Sequence, residues 1–390
     1  MDDQHPSRMG HIPDFATTPS APPIYQTTAF DVPDLDVLND IHLGRARGFI
    51  YTRDSNPNHA ALGRSIAQLE NAEAGAVFAS GMAAIAAALM TLAGSGDHII
   101  VARSLYGVTL KLTRRLENSF GIRTTYVDAT NIDEVTQAVQ PQTKLCLVET
   151  ISNPLLEVTD ISGIAAAIPQ VPLIVDSTFT TPVLIRPLDH GAALVVHSAS
   201  KYLNGHGDVM MGVCAGSKAL VRQICDTSSV FGQNGNPFES WLTQRGLRTL
   251  PLRMQQICRT TNQMAEFMAT HPLISRVYHP SLAGHGTAET AQRLYPQGTG
   301  GIITVQLKGE GRDVVTRFMR AAREIPFSPT LADSRTTISH PASTSHAFMK
   351  REERSAIGIT EEMIRFSVGL EPFELLRDEI DQALNAVAQR

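Results

Sequence analysis

The sequence predicts an α/β protein with a mostly parallel, seven-stranded-type sheet, helices on both faces, and a smaller C-terminal α+β domain. Short apolar or β-branched runs alternate with helix-length segments from about residue 59 to residue 325, and this alternation is typical of repeated strand–helix units. Further along the chain, runs of strands and helices suit a smaller α+β domain. The length of 390 residues also exceeds what one hydrophobic core usually supports.

The strands predicted for the large sheet are short runs that are apolar or rich in β-branched residues. In chain order they are His98–Ala102, Thr124–Val127, Leu145–Glu149, Leu173–Asp176, Leu194–His197 and Met210–Gly216. The helices predicted around them cover residues 59–72, 82–94, 106–119, 131–139 and 160–168.

The C-terminal part begins with a long helix predicted over 237–269, broken or bent near Pro251 because proline disrupts a helix interior. The later predicted elements are the strands Gly301–Leu307, Thr336–Ser339 and Ile364–Val368 and the helices 311–322 and 372–388.

The first 50 residues have little periodicity and contain six prolines, which predicts an extended arm. An arm that cannot bury itself is expected to pack on something else, such as a partner subunit. The predicted organisation is therefore an N-terminal arm over 1–55, a large domain over 56–250 and a C-terminal α+β domain over 251–390.

Composition argues against several classes of function. The formal net charge is −5 without a long basic run, so no nucleic-acid partner is expected. No stretch reaches the roughly 18 apolar residues that span a bilayer, and the polar start, Met1–Phe15, lacks a signal-peptide apolar region. We therefore expect a cytoplasmic protein without a membrane partner. Its four cysteines form no CxxC pair and are expected to be buried, reduced thiols that bind no metal.

A lysine between hydroxyl residues is the first chemical signal. Lys201 follows a predicted strand end in the stretch His197–Tyr202. A lysine amine can form an imine with an aldehyde cofactor, and the hydroxyls of Ser198 and Ser200 could donate to the phosphate of that cofactor. Alone the pattern is weak, because most lysines are solvated surface residues.

An aspartate upstream strengthens this interpretation. Asp176 comes directly after the apolar run Leu173–Val175, and ligands of open α/β sheets bind beyond the carboxyl ends of the strands. An ionised aspartate there would keep a pyridine nitrogen protonated, which makes the ring an electron sink. The alternative is a turn or helix-capping aspartate. Asp176 lies at the end of one predicted strand and Lys201 follows the end of the next strand. A pyridoxal-phosphate (PLP) site needs this arrangement.

The third signal is a helix start at Ser80–Gly81. Ser80 can cap the helix, and Gly81 lets the backbone approach a ligand closely. The amides and the positive end of the helix dipole then point at an anion such as a phosphate. By itself this pattern is also that of an ordinary capped helix.

Together these segments resemble the Cys/Met-metabolism family of PLP enzymes, which contains cystathionine γ-synthases and γ-lyases, cystathionine β-lyases, methionine γ-lyases and O-acyl-homoserine sulfhydrylases. The resemblance runs from about Pro22 to the C-terminus. The matching stretches are Tyr51–Pro57, Ala79–Ile85, Glu149–Leu155, Val175–Phe179, Ser198–Asp208, Arg245–Leu250, His340–Ala342 and Arg365–Glu371.

The resemblance implies a PLP-dependent transferase of fold type I and a homotetramer built from two active dimers. It also implies a role for each matching residue. Lys201 would bind PLP covalently, Asp176 would pair with the ring nitrogen, and Tyr106 would stack on the ring and act in catalysis. Further cofactor ligands would be Gly81, Met82, Thr178, Ser198 and Ser200, with Tyr51 and Arg53 reaching the phosphate of a neighbouring subunit. The substrate would be held by Asn153, Thr330 and Arg365.

The departures from the family pattern concern substrate choice. Val108 stands where γ-synthases and γ-lyases usually have glycine and methionine γ-lyases have cysteine. Pro329 and Ile50 stand where cystathionine γ-lyases carry two glutamates that would meet the distal ammonium of cystathionine. The family's Ser-Leu-Gly stretch reads Thr330–Asp333, and Arg335 replaces a glutamate. A substrate other than, or as well as, cystathionine is therefore expected.

The resemblance implies γ-elimination or γ-replacement on a homoserine-derived or sulfur-containing L-amino acid, with Lys201 as general base and Tyr106 as acid toward the leaving group. Methionine γ-lyase activity, O-acyl-homoserine sulfhydrylase activity and a γ-lyase acting on a non-sulfur substrate remain open. The non-enzyme alternative is a PLP- or phosphate-binding protein without turnover. No GxGxxG or GxxxxGK[ST] pattern favours a nucleotide site.

Overall fold

The structure, a computed structural model, describes residue 17 and residues 19–388. The polar start Met1–Phe15 therefore lies outside the described residues. Within the described part of the chain, no helix is both long and apolar enough to cross a bilayer.

The larger sheet has seven strands in the order β1-β7-β6-β5-β4-β2-β3. Their bounds are β1 Ala74–Phe78, β2 His98–Ala102, β3 Arg123–Val127, β4 Thr143–Glu149, β5 Leu173–Asp176, β6 Leu194–Ser198 and β7 Gly212–Gly216. The strands β2 to β6 pair in parallel, whereas β7 is antiparallel to both β6 and β1. Because parallel strands point the same way, the ends of β4, β5 and β6 meet at one edge of this sheet.

Helices surround this sheet and continue into the C-terminal part. Their bounds are α1 Leu35–His42, α2 Pro57–Leu69, α3 Gly81–Leu92, α4 Gly107–Phe120, α5 Ile132–Gln137, α6 Ile161–Ala167, α7 Thr181–Leu184, α8 Lys218–Phe231, α9 Pro237–Leu247, α10 Leu250–Thr270, α11 Ala288–Leu294, α12 Gly311–Ala321, α13 Arg351–Ala356 and α14 Phe373–Ala388. Short 3₁₀ turns cover Pro187–His190 and Pro341–Ser343.

The smaller sheet is antiparallel and has the order β10-β11-β9-β8. Its strands are β8 Ile274–Tyr278, β9 Ile302–Leu307, β10 Thr337–Ser339 and β11 Met363–Ser367. A second core, built around Ile303, Phe318 and Phe366, lies between this sheet and its helices. The first core belongs to the large sheet and is centred on fully buried residues of β2, β4, β5 and β6.

The predicted fold class is confirmed: a mostly parallel seven-stranded sheet with helices is followed by a small α+β unit. Some details differ from the prediction. The arm contains the helix α1, which Asp34 caps by accepting a hydrogen bond from the amide of Val37. The break predicted near Pro251 is present, because residues 237–269 form the two helices α9 and α10. Pro251 lies in the first turn of α10, where its missing N–H costs nothing. Strand β1 was not predicted, since its sequence, AGAVF, carries little β-branched signal.

The four cysteines are unpaired among the described residues, and all but Cys225 are buried. Burial raises the pKa of the thiols of Cys225 and Cys258 to about 11, so both are protonated and unreactive near neutral pH.

Candidate active site

A cavity of about 820 Å³ opens at the edge where the parallel strands end. It brings together most of the site residues predicted from the sequence, although they are spread over nearly 300 positions of the chain. Those in its lining are Gly81, Met82, Tyr106, Asn153, Asp176, Thr178, Ser198, Ser200, Lys201, Thr330 and Arg365.

A chain of hydrogen bonds ties the ends of β5 and β6 together. One carboxylate oxygen of Asp176 accepts from the backbone amide of Thr178 at 3.0 Å and from its hydroxyl at 2.5 Å. The same hydroxyl accepts from the backbone amide of Ser198 at 2.8 Å. Asp176 therefore has a fixed position relative to the start of the segment that carries Lys201.

Asp176 is one of two acids at this edge. Glu149, at the end of β4, is its register partner on the neighbouring strand and also lines the cavity. Burial raises the pKa of both carboxyls, and the charge of Asp176 raises that of Glu149 further; bonds from Thr178 oppose the shift at Asp176. Two desolvated acids without a cation between them are unfavourable, so this edge suits a ligand that presents a positive group.

Glu149 is a site residue to which the sequence analysis gave no role. Its Oε1 accepts from the backbone amide of Tyr106 at 2.8 Å, immediately before α4 begins. The signal that could have identified it was its place in the Glu149–Leu155 stretch, at a strand end next to that of Asp176.

Lys201 lies in the turn after β6, where its side chain is largely buried and faces the cavity. Its Nζ donates to the hydroxyl of Thr330 at 3.0 Å. Burial lowers the pKa of the Lys201 amine, and the charge of Arg365 lowers it further. A lowered pKa increases the fraction of neutral amine, which is the form that attacks an aldehyde or accepts a proton.

An anion-binding corner is formed where α3 begins beside the end of β6. The hydroxyl of Ser80 accepts from the amide of Ala83 and caps this twelve-residue helix. A Cβ added at Gly81 would lie 2.8 Å from the Cβ of Ser198, so only glycine permits the close approach. Ser200 lies on the same side of the cavity, and its hydroxyl accepts from the amide of Met211 at 2.9 Å. Hydroxyls beside a helix N-terminus suit a phosphate.

Arg365, on β11 of the smaller sheet, is a buried guanidinium at the opposite side of the cavity. Its Nη1 donates to Oδ1 of Asn153 at 3.0 Å and its Nη2 to the carbonyl of Thr330 at 3.2 Å, whereas its Nε has no partner among the described residues. Burial lowers the pKa of Arg365 to about 10, so the group is still a cation at neutral pH. A planar guanidinium binds a carboxylate with two parallel hydrogen bonds.

Tyr51 and Arg53 do not reach this cavity within the same chain. Both are exposed, and the Arg53 guanidinium lies 5.2 Å above the ring of Tyr51. Their predicted role on the phosphate of a neighbouring subunit stays a prediction.

The residues that depart from the family pattern differ in whether they line the cavity. Pro329 and Asp333 line the cavity. Ile50 is not part of its lining in the single chain. Arg335 is exposed and donates to the carbonyl of Glu324. Arg335 is therefore not part of the cavity lining in the single chain.

The residues present fit PLP. A half-buried lysine after one strand, an aspartate at the end of the neighbouring strand, hydroxyls beside a helix N-terminus and a buried arginine, set at the strand ends of an α/β sheet, are typical of PLP-dependent enzymes that act on amino acids.

The chain belongs to the family of Cys/Met metabolism PLP-dependent enzymes, whose profile matches residues 7–385. It is 37% identical to the L-methionine gamma-lyase of Porphyromonas gingivalis over 94% of this chain and 93% of that protein. It is 38% identical to the cystathionine gamma-lyase of Bacillus subtilis over 94% of both chains. Among solved structures, cystathionine gamma synthase from Xanthomonas oryzae pv. oryzae superposes with a TM-score of 0.90 at 33% identity, covering 96% of this chain and 95% of that one.

Proposed function

We propose that this enzyme catalyses γ-elimination or γ-replacement on a homoserine-derived or sulfur-containing L-amino acid. The observation that carries the proposal is that Thr330 joins two functional groups. Its hydroxyl accepts from the amine of Lys201 and its carbonyl accepts from the guanidinium of Arg365. A substrate carboxylate held at Arg365 therefore places the adjacent Cα within reach of Lys201, which is the arrangement that proton removal at Cα requires.

The cofactor would be held by residues at both ends of the ring. Gly81, Met82, Ser198 and Ser200 would bind the phosphate, together with Tyr51 and Arg53 from a neighbouring copy of the chain. Thr178 and Asp176 would hold the pyridine end and Lys201 the aldehyde end. When bound, PLP supplies the aldehyde that joins to the substrate amine and a ring that withdraws electrons from Cα.

The protein's own groups move the protons. The neutral Lys201 amine removes the proton from Cα, and its lowered pKa favours this form. A second proton then leaves Cβ, and the electron pair left there expels the γ-substituent, to which Tyr106 donates a proton. Asn153 and Arg365 would hold the carboxylate throughout, and Asp176 would keep the nitrogen of the bound cofactor protonated. Water then completes elimination to 2-oxobutanoate and ammonia, whereas a thiol completes replacement to a thioether.

Substrate choice follows from the cavity wall. Pro329 occupies a position where the resemblance predicts a glutamate, so an ammonium group entering there carries a desolvation cost of several kcal/mol unless Asp333 offsets it. We therefore propose a substrate other than, or as well as, cystathionine. The non-enzyme alternative, a PLP-binding protein without turnover, is disfavoured by the convergence of Lys201, Thr330 and Arg365.

The proposed assembly is a homotetramer of two active dimers in the cytoplasm. An arm that is largely exposed in the single chain supports it. A chain carrying Tyr51→Phe and Arg53→Ala, mixed with a Lys201→Ala chain, should regain activity in hybrid dimers. Absence of complementation in mixtures shown to contain hybrids would contradict a shared site.

The test of the activity compares kcat/KM for cystathionine, methionine and O-acyl-homoserines, with and without cysteine as the second substrate. Turnover of at least one of them with 2-oxobutanoate or a thioether as product is expected. A preference for cystathionine by about 100-fold, equivalent to roughly 2.7 kcal/mol, would refute the argument from Pro329. Absence of turnover with all of them would refute the function itself.

A further inference from the structure

The start of α4 is in direct contact with an irregular segment that precedes α13. This segment, Thr344–Phe348, will be called the rim segment, since its first two residues line the cavity. A Cβ added at Gly107, the first residue of α4, would overlap Cε1 of Phe348 and would lie 2.6 Å from the carbonyl oxygen of Ser345. The Phe348 ring therefore packs directly against the backbone of Gly107, the residue that follows Tyr106.

Two further side chains hold the Phe348 ring in this place. The ammonium of Lys111 lies 4.6 Å from the ring centroid. Because Lys111 is four residues after Gly107, both lie on the same face of α4. The buried imidazole of His346 is nearly parallel to the ring, with centroids 6.4 Å apart and an interplanar angle of 22°. A cation over an aromatic face contributes about 0.5–1 kcal/mol where it is partly exposed.

The contact joins two segments that both contribute residues to the cavity lining. On one side, the amide of Tyr106 is bonded to Glu149, so the large sheet fixes the residue before α4. On the other side, Phe348 packs against Gly107, the residue that follows Tyr106. A movement of the rim segment therefore changes both the cavity wall at Thr344 and Ser345 and the support of Tyr106.

We propose that Phe348, covered by Lys111, is a positioning residue that sets Tyr106 relative to the rim segment. The inference rests on the proposed function for the consequence in turnover, where Tyr106 acts on the γ-substituent. The structural statement, that the Phe348 ring links the position of α4 to that of the rim segment, does not depend on any activity.

Hydrogen exchange of the apoprotein tests the coupling without cofactor or substrate. Phe348→Ala should speed amide exchange in both residues 344–348 and residues 107–111, whereas Phe348→Tyr, which keeps the ring, should leave both near the wild-type rates. Faster exchange confined to 344–348 would overturn the proposal. Phe348→Leu serves in place of the alanine variant if that protein does not fold.

Steady-state kinetics of the holoenzyme test the consequence. Phe348→Ala should lower kcat by about tenfold, since a small misplacement of a catalytic group has a large effect on rate. Lys111→Gln should have a smaller effect, and the loss in the double variant should be less than the product of the two single losses. If the wild-type enzyme turns over γ-substituted amino acids and Phe348→Ala leaves kcat unchanged, the positioning role of Phe348 is overturned and the proposed function stands. If the wild type has no such activity, the proposed function fails and the exchange experiment still decides the coupling.

Discussion

The two sides of the cavity are built differently. The floor consists of Asp176, Thr178, Ser198, Ser200 and Lys201, which follow or end the strands β5 and β6 of the large sheet. The wall consists of residues 328–333 and the rim segment, which belong to no regular helix or strand of four or more residues. On the floor, hydrogen bonds connect neighbouring strand ends, whereas the wall is held by a few separate contacts.

The wall also contains a strained residue. Ala332 has a φ of 66°, a left-handed conformation that side chains other than glycine rarely adopt. The hydroxyl of Ser367 accepts a hydrogen bond from the backbone amide of Ala332 at 2.7 Å. The amide of Ser334 donates to the carbonyl of Gly205 at 3.0 Å. These bonds hold the turn in place despite its strain.

The difference has a functional meaning. In the proposed function, a floor made of strand ends would fix the groups that every reaction with the cofactor needs, because a sheet holds its strand ends rigidly. A wall made of irregular segments can change its side chains without disturbing that sheet. We therefore expect substitutions on the floor to affect turnover of all substrates, and substitutions in the wall to affect the preference between substrates.

The largest effect is expected for Lys201→Ala. Removing the base should lower turnover with every substrate by at least about 10³-fold, in the range that positioned proton transfer contributes. PLP should still bind, but borohydride should no longer fix it to the chain. Lys218→Ala, an exposed lysine at the start of α8, is the control for loss of a charge. A rate within tenfold of the wild type would contradict the mechanism.

Asp176→Ala should follow, with kcat lowered by about 10²-fold at saturating PLP, because the charge that keeps the ring nitrogen protonated is lost. Glu149→Gln on the adjacent strand should cost less than about tenfold, since an amide oxygen still accepts from Tyr106. The measurements are kcat and the dissociation constant of PLP for each variant. An Asp176 variant with bound PLP and unchanged kcat would count against this role.

Pro329→Glu tests the wall. A carboxylate there should raise the ratio of kcat/KM for cystathionine over methionine by about tenfold, which corresponds to about 1.4 kcal/mol of transition-state preference. Pro329→Gln is the matched variant without the charge and should leave the ratio within about twofold of the wild type. Equal ratios in the two variants would show that charge at this position does not select the substrate.

The smallest effect is expected for Ala332→Gly. The left-handed conformation costs alanine about 1–2 kcal/mol, and the greater freedom of glycine in the unfolded chain offsets about 0.4–1 kcal/mol of that gain. A net stabilisation of about 0.5 kcal/mol should raise the apparent Tm of the apoprotein by roughly 1–2 °C. A lower Tm would mean that the turn is not strained at this residue.

Much of this protein is determined by the sequence alone. The buried runs Leu173–Asp176 and Leu194–His197 are short and apolar, so their positions as neighbouring strands followed directly. Placing Asp176 and Lys201 beyond them required only that parallel strands end at one edge. The floor was therefore predictable residue by residue, and the structure brings those residues together.

The tertiary structure alone decided the rest. That Thr330 contacts both Lys201 and Arg365, that Arg335 faces away and that Phe348 bears on Gly107 all depend on how loops from the C-terminal part pack against the large sheet. Loops have no periodicity that indicates their partners, and the contacts of Thr330 and Phe348 join residues 35 to more than 200 positions apart. The hydrophobic periodicity of a sequence indicates which face of a strand or helix is buried. It does not indicate which distant irregular segments pack against each other.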